Sequence, residues 1–242
     1  MKLICFILFI GVIIPSCNIA QQKNNELTLT DTVYIYGEKT AGGTGKYYMG
    51  REIAHMIGPG GIGWLQRDDR PKDENTALAI EKMNLSASMV VADIGAGSGY
   101  YSFKIAKKAP KGKVYAVDVQ DEMIAALKKQ KAALKDRVVE IIKGDSLSPH
   151  LPDHSVDLAL MVDVYHELEY PHEMLQAIKK ALKPEGKLLL IEYKGEDPSI
   201  RIKPLHKMTI AQMNREMKAN GFSLYSRDDF LPIQHFMLYE QR

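Results

Sequence analysis

Val90-Val91-Ala92-Asp93-Ile94-Gly95-Ala96-Gly97-Ser98-Gly99-Tyr100 is the stretch that decides how this chain folds. A short apolar, β-branched run leads into three glycines at alternate positions, and an amphipathic pattern follows over 101–108. Such a pattern predicts a strand that turns sharply into a helix. Glycine is needed where a Cβ would block the turn or keep a ligand away from the backbone. Spacing then narrows the choice. A dinucleotide fingerprint requires G-x-G-x-x-G, but Gly99 comes one residue early and Tyr100 stands in the expected place. That fingerprint also does not call for Asp93, two residues ahead of Gly95.

Outward from this turn, strand and helix signals alternate. β-branched runs at 89–94, 114–119, 138–143, 158–162 and 188–192 are separated for the most part by helical patterns at 101–108, 121–134 and 172–182, with Pro184 and Gly186 ending the last. Continuous apolar strands joined by helices predict a parallel sheet covered on both faces. In the tail, Thr209 with Gln212 three residues on has the form of a capping box, Ile210, Met213 and Met217 give the helix an apolar face, and Gly221 ends it. The segments 222–225 and 235–239 have no crossover helix between them and should pair antiparallel. The expected fold is therefore α/β: doubly wound, mostly parallel and seven-stranded, with an antiparallel C-terminal strand pair and a small N-terminal helical extension.

The series Asp93-x-Gly95-x-Gly97-x-Gly99 resembles the first motif of class I S-adenosylmethionine-dependent methyltransferases, and later landmarks over 75–242 fall in register with it. The resemblance implies S-adenosylmethionine as cofactor. Asp93 would lie near its amino group, and Gly95, Ala96, Gly97 and Gly99 against its methionine and ribose. Asp118, ending Val114-Tyr115-Ala116-Val117-Asp118 and followed by Val119, would accept both ribose hydroxyls. Asp145 and Ser146, in Lys143-Gly144-Asp145-Ser146, would meet the adenine, and Asp163 would lie beneath the methionine moiety. Three acids ending three successive strands gather at the edge where open α/β sheets bind ligands. The implied activity is methyl transfer to a small-molecule acceptor. Competing expectations are an exported binding protein with an inactive methyltransferase fold, a nicotinamide-dependent oxidoreductase, and an aminopropyl transferase.

Candidate chemistry clusters just after the fourth strand, in Tyr165-His166-Glu167-Leu168-Glu169. His166 is the expected base where the acceptor keeps a proton, with Asp163 beside it, because an imidazole's ordinary pKa suits proton transfer near neutrality. Glu192, Tyr193, Arg201 and His206 are expected on the same rim. Tyr47, Arg51 and His55 fall at i, i+4, i+8 spacing, which predicts one helical face, and with Trp64 they are expected to form a lid over the substrate. No metal is expected. His55, His166, Glu167 and His206 are scattered along the chain without the local spacing of a metal motif. Gly43-Thr44-Gly45-Lys46 is not a phosphate loop, since Thr40 and Tyr47 stand where that motif needs glycine and Ser or Thr.

The 242 residues suit one domain with an extension. Lys and Arg number 32 against 30 Asp and Glu, a balance that leaves no electrostatic footprint for nucleic acid. Met1-Lys2, an apolar run over 3–14 and Pro15-Ser16-Cys17 have the form of a secretory signal and resemble a bacterial lipobox, with Cys17 lipidated. The expected organisation is a signal peptide over 1–16, a tether over 17–30, an extension or lid over 31–74 and the catalytic domain over 75–242. The protein would then be a lipoprotein on the periplasmic side, touching the membrane only through its anchor; the alternative is cytoplasmic. Cys5 and Cys17 are the only cysteines, so cleavage before Cys17 leaves a body without thiol chemistry.

Overall fold

In the computed structural model the quoted stretch is strand β4 (Val90–Ile94) running into helix α4 (Ser102–Lys108). The residues described are 33–242, and Val33–Arg242 forms one compact unit. The segments expected to be a signal peptide, a lipidation site at Cys17 and a tether lie outside the described residues. None of the described helices is long and apolar enough to cross a membrane.

Beside β4 lie β5 (Lys113–Asp118), β6 (Val139–Lys143), β7 (Val156–Val162) and β8 (Leu182–Tyr193), all parallel. Strands β9 (Phe222–Asp228) and β10 (Gln234–Gln241) complete the sheet as an antiparallel pair, in the order β6-β5-β4-β7-β8-β10-β9. The period-two pleat divides the apolar strands between two cores. Val91, Leu160, Leu189 and Ile191 face the layer of α3 (Thr76–Lys82), α4 and α5 (Asp121–Leu134). Ala92, Met161, Leu188 and Leu190 face α6 (Pro171–Ala181) and α7 (Ile210–Ala219). Thr209 caps α7 by accepting a hydrogen bond from the Gln212 amide at 3.1 Å. The strands after β4 are laid down on one side as β5 and β6 and then on the other as β7 and β8, and this switch in strand order opens a crevice at the carboxyl ends of β4 and β7.

The N-terminal extension departs from its expected helical form. It begins with a three-stranded antiparallel sheet, β1 (Tyr34–Tyr36), β2 (Gly43–Tyr48) and β3 (Arg51–Ala54), and only then turns helical in α1 (Ile62–Leu65) and α2 (Arg70–Glu74). The reason is the turn at Met49 and Gly50, whose φ values of 49° and 86° are left-handed and suit a tight hairpin. That hairpin cuts through the i, i+4, i+8 series, so Tyr47, Arg51 and His55 do not share a helical face. Gly43–Lys46 is part of strand β2.

Candidate active site

The glycine turn sits at the carboxyl end of β4, where Gly95 and Ala96 both donate their amides to the Val117 carbonyl at 2.9 Å. Gly95 has φ +73°, and a Cβ there would come within 2.5 Å of Val164, so neither the conformation nor the space admits a side chain. Gly99 has another task. A Cβ on it would lie 2.5 Å from Phe103 and 2.8 Å from Leu127, so this glycine packs α4 and α5 close to the strand and does not line a cavity.

Two carboxylates brace the turn. Asp118, at the end of β5, accepts the Gly97 amide at 2.8 Å on one oxygen and the Gln120 amide at 2.9 Å on the other. Burial raises its pKa while these amides pull it down. Asp93 is buried and accepts the Ser102 hydroxyl at 2.5 Å. Burial pushes Asp93 up to about 6 against that hydrogen bond, and the nearby Asp118 charge adds to the rise. Asp93 and Ala96 line a small recess with Arg70 and Tyr101.

In front of the turn lies a cavity bordered by Gly95, Gly97, Asp118, Val119, Asp145 and Ser146, with Met56, Ile57 and Leu65 of the extension on its outer side. Asp145 is exposed, and the Leu147 and Ser148 amides, each 2.8 Å away, hold its carboxyl below the usual range. Asp163 borders the same cavity from the end of β7. It has φ +54°, its Oδ2 accepts from the Gln234 amide group at 2.8 Å, and its buried Oδ1 has no hydrogen-bond partner. Burial, then the charges of Glu74 and Glu192, hold this carboxyl well above the ordinary carboxylate range.

A second chamber of about 300 Å³ adjoins the first, and Ile57, Leu65 and Asp163 border both. Trp64, expected in a lid, is 45% exposed and lines this chamber, with the Arg67 guanidinium 3.8 Å from its ring centroid. The deeper wall is a buried charge cluster. Glu74 accepts from Arg67 and Arg70, both at 2.7 Å, and from the Tyr193 hydroxyl at 3.0 Å. Arg201 and His206 lie on the rim as expected. Arg67, Arg70 and Glu74 belong to this wall although the sequence pattern did not single them out. The i, i+4 spacing of Arg70 and Glu74 was the available signal.

Glu192, expected at this rim, is fully buried behind it. It accepts His166 Nδ1 at 2.6 Å and the Tyr165 amide at 2.7 Å, and so positions His166 without reaching a ligand. His166 is 1% exposed. Burial alone would lower its pKa, but the Glu192 and Glu167 carboxylates raise it to about 10, which keeps it protonated at neutral pH when only protein groups surround it. An imidazolium so held has no free site for a proton, which argues against the base role expected from its ordinary pKa. Arg51 is likewise structural. It forms a two-pronged pair with Glu216 of α7 at 3.0 and 3.1 Å and donates to the His166 carbonyl at 3.0 Å, so it ties the small sheet to the domain. Tyr47 donates to the Glu38 carbonyl at 2.6 Å, and His55 is exposed; neither borders the cavities.

The chain resembles known methyltransferases in sequence and in fold. Residues 92–190 match the family described as a methyltransferase domain. A solved S-adenosylmethionine-dependent methyltransferase from Aquifex aeolicus superposes with a TM-score of 0.72 at 26% identity, over 76% of this chain and 98% of that one. Phosphoethanolamine N-methyltransferase 1 of Arabidopsis thaliana is 31% identical over 152 residues, which is 63% of this chain and 29% of that protein. A ubiquinone/menaquinone biosynthesis C-methyltransferase of Pseudomonas putida is 27% identical over 161 residues, 64% of this chain and 55% of that protein. The chain thus spans less than two thirds of the length of these curated relatives. Residues 92–190 thus form a methyltransferase domain, and these likenesses imply S-adenosylmethionine as its cofactor. The cavity suits that cofactor. A two-oxygen acceptor faces it at the end of β5, side-chain-free backbone lies at Gly95 and Gly97, and Asp163 holds an unpartnered oxygen at its inner end.

Proposed function

We propose that this protein transfers the methyl group of S-adenosylmethionine to a small-molecule acceptor seated in the chamber between α1, α2 and Tyr193. The observation that carries this reading is the border the two cavities share at Ile57, Leu65 and Asp163, which supports a second compartment, open on one side, next to the cofactor pocket. S-adenosylmethionine supplies an electrophilic methyl on a good leaving group, so the chain mainly has to align the acceptor and exclude water. Asp118 would hold the ribose hydroxyls, Asp145 and Ser146 the adenine side, and Gly95 to Gly97 the methionine end. Trp64 and Leu65 close the outer wall. Arg67 and Arg70 are already paired with Glu74, whereas Arg201 and Lys203 line the chamber and take part in no ion pair among the described residues. This favours an acceptor that carries an acidic group. The relatives named above act on nitrogen and on carbon, so their acceptor atom does not carry over.

The test is transfer of labelled methyl from S-adenosylmethionine into the small-molecule fraction of a cell extract, paired with calorimetry of S-adenosylhomocysteine binding. Wild type should label an acidic product. Asp118→Ala removes two hydrogen bonds to a charged group, worth about 3–4 kcal/mol together, and should weaken binding by two to three orders of magnitude. Label undiminished in Asp118→Ala would overturn the ribose assignment. Tight product binding without any labelled acceptor would favour an inactive binding protein.

A further inference from the structure

The wall between the two cavities holds a second constellation. His166 Nε2 lies 3.1 Å from His206 Nδ1, His206 Nδ1 lies 3.0 Å from Glu167 Oε1, and His166 Nε2 lies 3.6 Å from the same oxygen. Three donor atoms bound to one ion at about 2.0–2.2 Å stand roughly 3–3.6 Å apart. Hydrogen bonding accounts poorly for this triangle, because one proton serves one edge. Glu167 Oε1 is buried and has no hydrogen-bond partner of acceptable geometry, although His206 is 3.0 Å away. Its side chain is only 9% exposed, and its other oxygen is taken by the Ile57 amide at 3.0 Å.

The surroundings ask for positive charge. Glu192, with no exposed surface, holds His166 Nδ1 at 2.6 Å, which leaves Nε2 turned toward the triangle. Two carboxylates, Glu167 and Glu192, therefore meet on one pair of imidazoles in a nearly dry wall, where unneutralised charge is costly. A carboxylate behind a histidine is also the usual outer support of a metal-bound imidazole, since it fixes the ring and makes the free nitrogen more basic.

We propose that His166 Nε2, Glu167 Oε1 and His206 Nδ1 bind a divalent transition-metal ion of the zinc type, supported by Glu192, with its remaining coordination position open to the chamber. Two imidazoles, one carboxylate and an open position are the donor set of catalytic rather than structural zinc sites. Glu167 borders the cofactor cavity, while His166 and His206 border the chamber. The ion would thus sit where an acceptor oxygen or nitrogen could be held and polarised. That last step rests on the methyl-transfer reading; metal binding does not.

The full chain, stripped with chelator and equilibrated with zinc sulfate, should retain about one zinc per chain by elemental analysis. Cobalt(II) in its place should give the visible absorption of a low-coordinate site. His206→Ala should bind zinc at least ~100-fold more weakly, and Glu192→Gln, which touches only the outer support, ~10–100-fold more weakly. Zinc retained equally by wild type and His206→Ala, or retained by neither, overturns the proposal. S-adenosylhomocysteine affinity within twofold of wild type shows that His206→Ala is folded. If S-adenosylhomocysteine fails to bind the wild type, the methyl-transfer reading falls while the zinc result stands.

Discussion

The cofactor cavity and the chamber beside it share Asp163, Ile57 and Leu65, yet they are assembled on different plans. The first is made largely of backbone and strand ends: the Gly95–Gly97 turn, and Asp118, Asp145 and Asp163 at the carboxyl ends of parallel strands. Its geometry follows from the sheet, so it holds as long as the sheet does. The second is made of long side chains from separate segments, with Arg67 and Arg70 from the extension, Tyr193 from β8 and His206 from a later loop. Those groups are held by one another, through Glu74 on one wall and Glu192 on the other. Disturbing a single side chain should therefore damage the chamber and spare the cofactor cavity.

The largest effect expected from that contrast is on Arg70→Met. Arg70 is 5% exposed, pairs with Glu74 at 2.7 Å and donates to the Leu65 carbonyl at 2.8 Å. Breaking a buried pair from one side costs about 3–5 kcal/mol because a charge stays behind in the interior. Arg67 remains on Glu74, so the low end, about 3 kcal/mol, is the expected loss in urea unfolding. The triple variant Arg67→Met/Arg70→Met/Glu74→Leu, which removes every charge of the cluster, should recover most of it. If the triple variant is no more stable than Arg70→Met, the chamber wall is not held by charge pairing and the contrast fails.

The same contrast explains what the sequence made legible. The β4 turn, the five parallel strands and the antiparallel edge were readable because each is a local pattern: apolar runs, glycines at fixed offsets, an acid at a strand end. Helix α5 was expected over 121–134 and occupies Asp121–Leu134. The extension was not readable by helical spacing. Tyr47, Arg51 and His55 satisfy an i, i+4 count, but Met49-Gly50 is a hairpin turn, and a turn outweighs a periodicity of three residues. Glu192 reads as a strand-end acid like Asp118, yet its carboxylate turns back on His166. Only the packing of the loop after β7 decides that. The His166, Glu167 and His206 triangle was illegible for a plainer reason: a 40-residue separation carries no local spacing.

A middle-sized effect tests the cofactor side. Asp93 has a folded-state pKa of about 6 against an ordinary carboxylate value of 3.8. Between those values the folded chain holds a proton that the unfolded chain has released. Its contribution to stability is therefore full below about pH 4 and falls as pH rises to about 6, by roughly 2–3 kcal/mol in all. Asp93→Asn cannot ionise. The difference in unfolding free energy between variant and wild type should shift by that amount in favour of Asn between pH 4 and 7. A difference independent of pH would mean that Asp93 is ionised in the fold throughout, with Ser102 and Arg70 outweighing its burial.

The smallest effect should separate the two cavities most sharply. Tyr193→Phe deletes one hydroxyl, which donates to Glu74 Oε1 at 3.0 Å, and leaves the ring in place. A hydrogen bond to a charged acceptor is worth about 1.5–3 kcal/mol. Because two guanidiniums remain on Glu74, a loss near 1.5 kcal/mol is expected, about half that of Arg70→Met. Tyr193 does not border the cofactor cavity, so S-adenosylhomocysteine affinity should stay within twofold of wild type while acceptor labelling declines. If cofactor affinity instead falls in step with stability, Glu74 supports both cavities through the shared Asp163 border. The chamber would then be a structural extension of the cofactor site and not a separate compartment for the acceptor.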